Sequence, residues 1–389
     1  MSNIVITDDI KYVGVNDHKI DLFEGQYNVK SGMSYNSYVI EDEKIAVLDT
    51  CSEDFKDEWL SNIKNVLGKR EPSYLVVHHM EGDHSANIKA FTDKYPKVTV
   101  VSSLQAFTMM KNYFGTSYDD RRVVIKDGDS INLGKHMLTF VACPMVHWPE
   151  VMMSYDSYSK ILFSADAFGK FGANDKNDLD NWDDEARRYY IGIVGKYGVQ
   201  VQKALSTAKT LDIKTICSLH GPILKGDLSH YINLYDTWSS YKSEMDGVLI
   251  AYTSIYGHTK KAAYELKNIL DKKNVKNVVI KDIARSDIYE CVADAFKYPK
   301  LVIATTSYNG EIFPVMKHFI DHLISRNYQD RKIGIIDNGS WAPCVTNIVK
   351  KSFENSKKVE FLPTVVKIQC AMNDANKSEL EKLGEELSK

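Results

Sequence analysis

Residues 79–84 read His79-Met80-Glu81-Gly82-Asp83-His84, four groups able to hold a metal ion within six positions, directly after the apolar run of Tyr74-Leu75-Val76-Val77-His78. That run reads as a buried strand, and a loop at its carboxyl end can turn several side chains towards one point. His79, Glu81 and Asp83 are separated by single residues, so alternating side chains reach one site, with Gly82 relaxing the backbone between them. Three distant residues extend the set. His147 follows the strand-like stretch 136–146 and precedes Trp148-Pro149, Asp166 follows 160–165, and His220 ends 215–219 before Gly221-Pro222. Taken singly, each is more often an ordinary polar residue at a strand end; jointly they form a two-metal ligand set. Imidazole with carboxylate suits a pair of divalent metals, and the carboxylates favour a harder, redox-capable metal such as iron.

A chain of 389 residues exceeds what one hydrophobic core usually supports, so two domains are expected. Apolar residues at 44% and charged residues at 26% are ordinary for a globular protein. The net charge of −3 makes no electrostatic case for nucleic acid or an anionic membrane. Six cysteines, Cys51, Cys143, Cys217, Cys291, Cys344 and Cys370, never form a C-x-x-C pair, which excludes a locally readable zinc ribbon or iron–sulfur knuckle. No basic start with an apolar stretch and no bilayer-length apolar run appear, so a cytoplasmic location with reduced thiols is expected.

Through the first two hundred or so residues, short β-rich runs alternate with turns, with helices expected over Asp54–Leu67 and Ala186–Leu211. From Asp246 strands and helices alternate regularly: strands at 247–253, 275–282, 301–306 and 332–337, and helices over Lys260–Asp271 and Val315–Ser325. This texture predicts a doubly wound parallel sheet, and a boundary at Ser243–Gly247 gives domains 1–246 and 247–389. The lysine-rich stretch from Lys377 reads as a solvated terminal helix.

The stretch 253–259, Thr-Ser-Ile-Tyr-Gly-His-Thr, lies between an apolar strand and an amphipathic helix. Its hydroxyls and backbone N–H groups meet a helix N-terminus and can cradle a phosphate monoester. The spacings of a Walker loop and of the dinucleotide fingerprint are absent, so FMN fits better than ATP or NAD. An aromatic plane beside a flavin shifts its redox states, a role open to Trp341 and Tyr308.

The motifs HMEGDH, VHWPE around His147, FSADAFG around Asp166 and SLHGP around His220 resemble those of the metallo-β-lactamase fold, in the variant of the flavodiiron proteins. The general hydrolase pattern has a histidine where this chain has Glu81, and in the family a carboxylate there accompanies a di-iron centre. The resemblance implies that His79, Glu81 and His147 hold one iron, Asp83 and His220 the other, and that Asp166 bridges them. His84, whose equivalent coordinates in some members and turns away in others, joins as a further ligand. Glu24 stands where many relatives carry a histidine near the oxygen-binding pocket, and Tyr27 is a candidate for the same pocket.

The second half is similar to flavodoxin: Ser254, Ile255, Tyr256, Gly257, His258 and Thr259 match its phosphate loop. Thr306, Ser307, Tyr308, Asn309 and Gly310 match the loop that holds the isoalloxazine ring, and Gly339, Ser340 and Trp341 would border its other face. The likeness spans essentially the whole chain. It implies an α/β protein, an N-terminal metallo-β-lactamase-like αββα sandwich plus a C-terminal flavodoxin-like doubly wound parallel sheet. A donor, commonly rubredoxin, would reduce FMN, and electrons would pass to a di-iron centre that reduces dioxygen to water or nitric oxide to nitrous oxide, with a slight lean to oxygen. No rubredoxin-like domain is visible, so the donor is expected to be a separate protein. In the family, flavin and iron sites of one subunit lie too far apart, which implies a head-to-tail homodimer or a dimer of such dimers. Two other readings stay open: a metal-dependent hydrolase of the same fold with an attached flavodoxin module, and a plain electron carrier with a structural metal domain. Glu81 argues against the first and the complete ligand set against the second.

Overall fold

Short runs of two to six residues, many of them β-branched or aromatic, pair into two six-stranded sheets in the first unit of the chain. The computed structural model describes residues 4–176 and 182–389. One sheet runs in the order Ile10–Tyr12, Tyr38–Ile40, Ala46–Leu48, Tyr74–Val76, Thr99–Ser102, Arg122–Val124. The other runs Ser130–Asn132, Met137–Ala142, Met152–Asp156, Ile161–Phe163, Thr215–Cys217, Leu224–Lys225. Ile10, Ile40, Leu48, Val76 and Val101 from the first form one core with Leu138, Phe140, Met152, Phe163 and Cys217 from the second, as face-to-face packing of half-apolar sheets requires. Helix Lys56–Leu67 buries the stripe Trp59, Ile63, Leu67, and helix Leu104–Phe114 buries Ala106, Phe107 and Met110. The architecture is the expected αββα sandwich.

The chain divides into two compact units, one made of Met1–Tyr190 with Tyr197–Asp236, the other of Ile191–Lys196 with Thr237–Lys389. The intervening segment departs from the single helix expected over Ala186–Leu211. Helix Trp182–Tyr189 gives way to a π turn at Tyr190–Val194 and a 3-10 turn at Gly195–Tyr197, before helix Gly198–Ala208 resumes. Gly192, Gly195 and Gly198 recur every third residue, and each glycine costs a helix about 1 kcal/mol relative to alanine. Three together break it.

The second unit carries five parallel strands in the order Val278–Asp282, Val248–Tyr252, Lys300–Tyr308, Arg331–Asn338, Val359–Ile368. Both neighbours of Val248–Tyr252 run parallel to it, and the chain changes winding direction there, so a crevice opens at the strands' carboxyl ends. The doubly wound sheet is as expected. The terminal helix, Asp374–Leu387, differs from the solvated element the lysines suggested. Leu380, Leu383 and Leu387 are fully buried in the core with Leu266, Ile269 and Leu270 of helix His258–Lys272. Gly384 is what allows this approach, because a Cβ there would lie 2.6 Å from Ile269 Cγ2. The polar composition hid an apolar stripe at helical spacing.

Leu383→Ala should therefore destabilise the second unit by about 2–5 kcal/mol. Faster amide exchange in strand Val248–Tyr252 would register it, whereas unchanged exchange would mean the terminal helix is dispensable.

Candidate functional site

Strand Tyr74–Val76 delivers the chain to His79, after which a single helical turn, Gly82–Ser85, forms with Glu81 as its N-cap. The sequence suggested a loop relaxed by Gly82. Gly82 adopts no left-handed conformation, and a Cβ there would meet nothing within 4 Å, so the backbone does not need its freedom. The turn separates the carboxylates: Glu81 faces one cluster and Asp83 another.

His79, Glu81, His147 and Asp166 form the first cluster. His147 Nε2 lies 3.0 Å from Glu81 Oε2 and 3.1 Å from Asp166 Oδ2, and His79 Nε2 lies 3.3 Å from each of those oxygens and from His147 Nε2. A tetrahedron with corners about 2.1 Å from its centre has edges of about 3.4 Å, so these four atoms have the spacing of ligands around one metal. Asp83, His84 and His220 form the second cluster. The two Nε2 atoms are 2.9 Å apart and each is 3.3 Å from Asp83 Oδ2. Asp166 Oδ1 faces them at 3.5 and 3.7 Å, while its Oδ2 faces the first cluster. All seven residues singled out as metal-binding are thus brought together, His84 included, turned inward.

Hydrogen bonds from the outer layer set the imidazole tautomers. His79 Nδ1 donates to Glu150 Oε1 at 2.9 Å, and His220 Nδ1 donates to the Ser34 carbonyl at 2.7 Å. Each Nε2 is left bare towards its cluster. Glu150 also accepts from Met80 N, at 2.8 Å. Sequence reasoning missed Glu150, although it closes the same VHWPE segment that carries His147. The chemistry of this donor set fits cations. Both oxygens of Asp83 and both of Asp166 are buried without a hydrogen bond, and bare nitrogens face one another at 2.9 Å, an arrangement that a positive charge between them stabilises. Burial alone would lower His79 and His147, but the carboxylates of Asp166, Glu150 and Glu81 reverse this in the absence of a cation. His79 then stands well above the usual imidazole range and His147 is pushed up to about 9. Against the cost of burial, His79 and His147 hold Asp166 well below the usual carboxylate range.

Glu24 sits at the exposed tip of the hairpin Leu22–Phe23 and Tyr27–Asn28 and accepts from Gln26 Nε2 at 3.2 Å. The protein surrounding its carboxyl, followed by the negative charge of Glu81, pushes it up to about 7, which marks its nearness to the clusters. Tyr27 is buried. Its ring lies 5.4 Å from that of Phe171, which contacts Tyr189 at 5.2 Å, and Tyr189 lies 5.5 Å from His220. Phe23 meets His220 edge-on at 5.4 Å.

At the carboxyl ends of the parallel strands a cleft of about 340 Å³ is lined by Ser254, Ile255, Tyr256, His258, Thr259, Thr306, Ser307, Gly339 and Ser340, all expected, and by Asn338 and Cys370, which were not. Asn338 Nδ2 donates to Thr259 Oγ1, tying two of the loops together, and Thr306 Oγ1 is buried without a hydrogen-bond partner. Gly257 caps the 15-residue helix His258–Lys272 in a left-handed conformation, and its N–H is held by Ser254 Oγ. That helix N-terminus and the hydroxyls suit a phosphate monoester. Tyr308, Asn309, Gly310 and Trp341 do not line this cleft. Tyr308 and Asn309 border a second one of about 310 Å³, and Asn309-Gly310, both left-handed, turn the hairpin joining Tyr308 to Glu311. Trp341 and Tyr256 are 85% and 89% exposed.

Residues 33–221 match the model of the ODP family beta lactamase. The chain is 31% identical over 342 residues to a nitric oxide reductase of Moorella thermoacetica, covering 85% of this chain and 84% of that one. It is 25% identical over 350 residues to an anaerobic nitric oxide reductase flavorubredoxin of Escherichia coli, covering 87% and 73%. Its fold matches the solved rubredoxin oxygen:oxidoreductase of Desulfovibrio gigas at a TM-score of 0.92, with 24% identity over 99% of this chain and 97% of the other. It also matches a flavodiiron protein of Giardia intestinalis at 0.89, with 24% identity over 100% and 97%.

Asp166→Ala should abolish paired metal binding while leaving flavin content unchanged; a variant retaining two metals per chain would remove the bridging role. Because the neighbouring carboxylates raise His79 and His147 above the usual imidazole range without a cation, metal uptake at neutral pH should release protons, and affinity should fall as pH falls. Calorimetry in buffers of different ionisation enthalpy measures this, and buffer-independent heats would contradict it.

Proposed function

The chain belongs to the flavodiiron proteins, and we propose that it is an oxidoreductase in which electrons from a separate donor, rubredoxin or a similar protein, pass through FMN to two irons that reduce dioxygen to water and nitric oxide to nitrous oxide, dioxygen being slightly preferred. The observation that carries this reading is Asp166, whose two oxygens face different clusters of buried ligands. A metal-dependent hydrolase would leave the second unit's phosphate-suited cleft without a task.

In this proposal residues 1–246 hold the metals and 247–389 the flavin. His79, Glu81 and His147 hold one iron, Asp83, His84 and His220 the other, and Asp166 bridges them. Ser254, Ile255, Tyr256, Gly257, His258 and Thr259 receive the FMN phosphate. Thr306, Ser307, Tyr308, Asn309, Gly310, Gly339, Ser340 and Trp341 surround its ring system, the exposed Trp341 plane being free to cover it. When bound, FMN and the iron pair supply the stepwise electron delivery that a diatomic substrate needs. The protein's own part is orientation and exclusion of water. Glu150 and the Ser34 carbonyl aim His79 and His220, while Phe23 and Tyr189 wall off His220 with apolar surface. Glu24 borders the substrate pocket, and Tyr27 supports it from behind through Phe171. The working assembly is a head-to-tail homodimer or a dimer of such dimers, located in the cytoplasm. Among the described residues no helix is long and apolar enough to cross a membrane.

The test is turnover by the iron- and FMN-loaded protein under anaerobic handling, with reduced rubredoxin, following dioxygen and nitric oxide on parallel electrodes. Both should be consumed, dioxygen faster and without peroxide release. Consumption of neither would sink the proposal.

A further inference from the structure

Directly before the first ligand, His78 lies in a Ser–His–Asp constellation that is 1% exposed or less throughout. Its Nδ1 donates to Asp49 Oδ2 at 2.5 Å, and its Nε2 therefore accepts from Ser154 Oγ at 2.7 Å. Such a triad invites a hydrolytic reading, but no substrate can reach a serine sealed between two sheets.

The three residues come from different parts of the sandwich. Asp49 follows strand Ala46–Leu48 of the first sheet, whereas Ser154 lies within Met152–Asp156 of the second. His78 spans the two, and its own carbonyl accepts from Met152 N at 3.2 Å. Asp49 is a double acceptor, since its Oδ1 takes the backbone N–H of His78 at 2.7 Å while Oδ2 takes the ring. The next residue grips the other end of the same loop: Thr50 N and Oγ1 both donate to the His84 carbonyl, at 2.9 and 2.7 Å. Residues 79–83, with three of the proposed ligands, therefore hang between two anchored points.

We propose that His78, held between Asp49 and Ser154, is a positioning residue for the metal cage: it pins the ligand-bearing loop to both sheets and so sets how His79 and Glu81 meet His147 and Asp166. The inference rests on the metal-cage reading above. An imidazole suits the task because it is rigid and presents two hydrogen-bonding atoms on opposite edges, so one ring bridges a carboxylate and a hydroxyl. Replacing either partner leaves the ring a free edge and lets the loop shift, which a metal feels because its ligands must meet at one point.

The experiment is cobalt(II) titration of the metal-free, FMN-containing protein, reading affinity and the visible ligand-field bands for wild type, Ser154→Ala, Ser154→Thr and Asp49→Asn. Ser154→Ala and Asp49→Asn should each weaken cobalt binding about tenfold or more and shift the bands, while FMN content stays at the wild-type level. Ser154→Thr, which keeps the hydroxyl, should restore most of the affinity. Should Asp49→Asn fail to fold, the Ser154 pair decides alone. Variants that hold FMN and bind cobalt with wild-type affinity and bands would overturn the role of His78, whereas a wild type that binds no cobalt would overturn the cage itself.

Discussion

Asp83 and Asp166 bury carboxylate oxygens that accept no hydrogen bond, and around them converge the Nε2 atoms of His79, His84, His147 and His220. Removing an ion from water without a partner costs several kcal/mol even after relaxation. The arrangement is tolerable only where protons or metal cations balance the charge, and the elements around the site serve to keep these groups from drifting apart. Two six-stranded sheets supply a dry, densely packed support. Loops at strand ends reach over it, held by hydrogen bonds that Glu150, the Ser34 carbonyl and Asp49 accept and that Thr50 donates. A core that could repack would let the clusters relax away from one another.

The second unit solves a different problem with the same economy. A parallel sheet leaves the N–H groups and hydroxyls of several loops pointing into one crevice at the carboxyl ends of its strands, and a helix N-terminus adds a partial positive charge there. No buried charge cluster is needed, so the cleft is built from Ser254, Thr259, Thr306, Ser307 and Asn338, all of them neutral hydrogen-bonding side chains. The contrast follows from the ligands each suits: hard cations need anionic donors held in place, whereas a phosphate needs donors on a firm frame.

Much of this was legible because the signals are local. HMEGDH announces metal chemistry through spacing alone, and the hydroxyl-rich loop at 253–259 sits between a strand and a helix that periodicity identifies. Other features were masked by local composition. The terminal helix looked solvated because lysine and glutamate outnumber the three leucines that anchor it. The glycines at 192, 195 and 198 carried a clear warning that the expected long helix would break, since glycine spends backbone entropy that no side chain recovers.

What the amino-acid order determined by itself was the inventory: a ligand set of histidines and carboxylates, a phosphate-suited loop, two layered α/β units and the family they resemble. Tertiary structure supplied the distances and the surroundings. It turned His84 inward beside Asp83 and His220, brought Glu150 under His79, and set His78 between residues 29 and 76 positions away. Such pairings depend on the register of strands that meet only when two sheets close on a common core, and a side chain's neighbours across that closure are not encoded in its spacing along the chain.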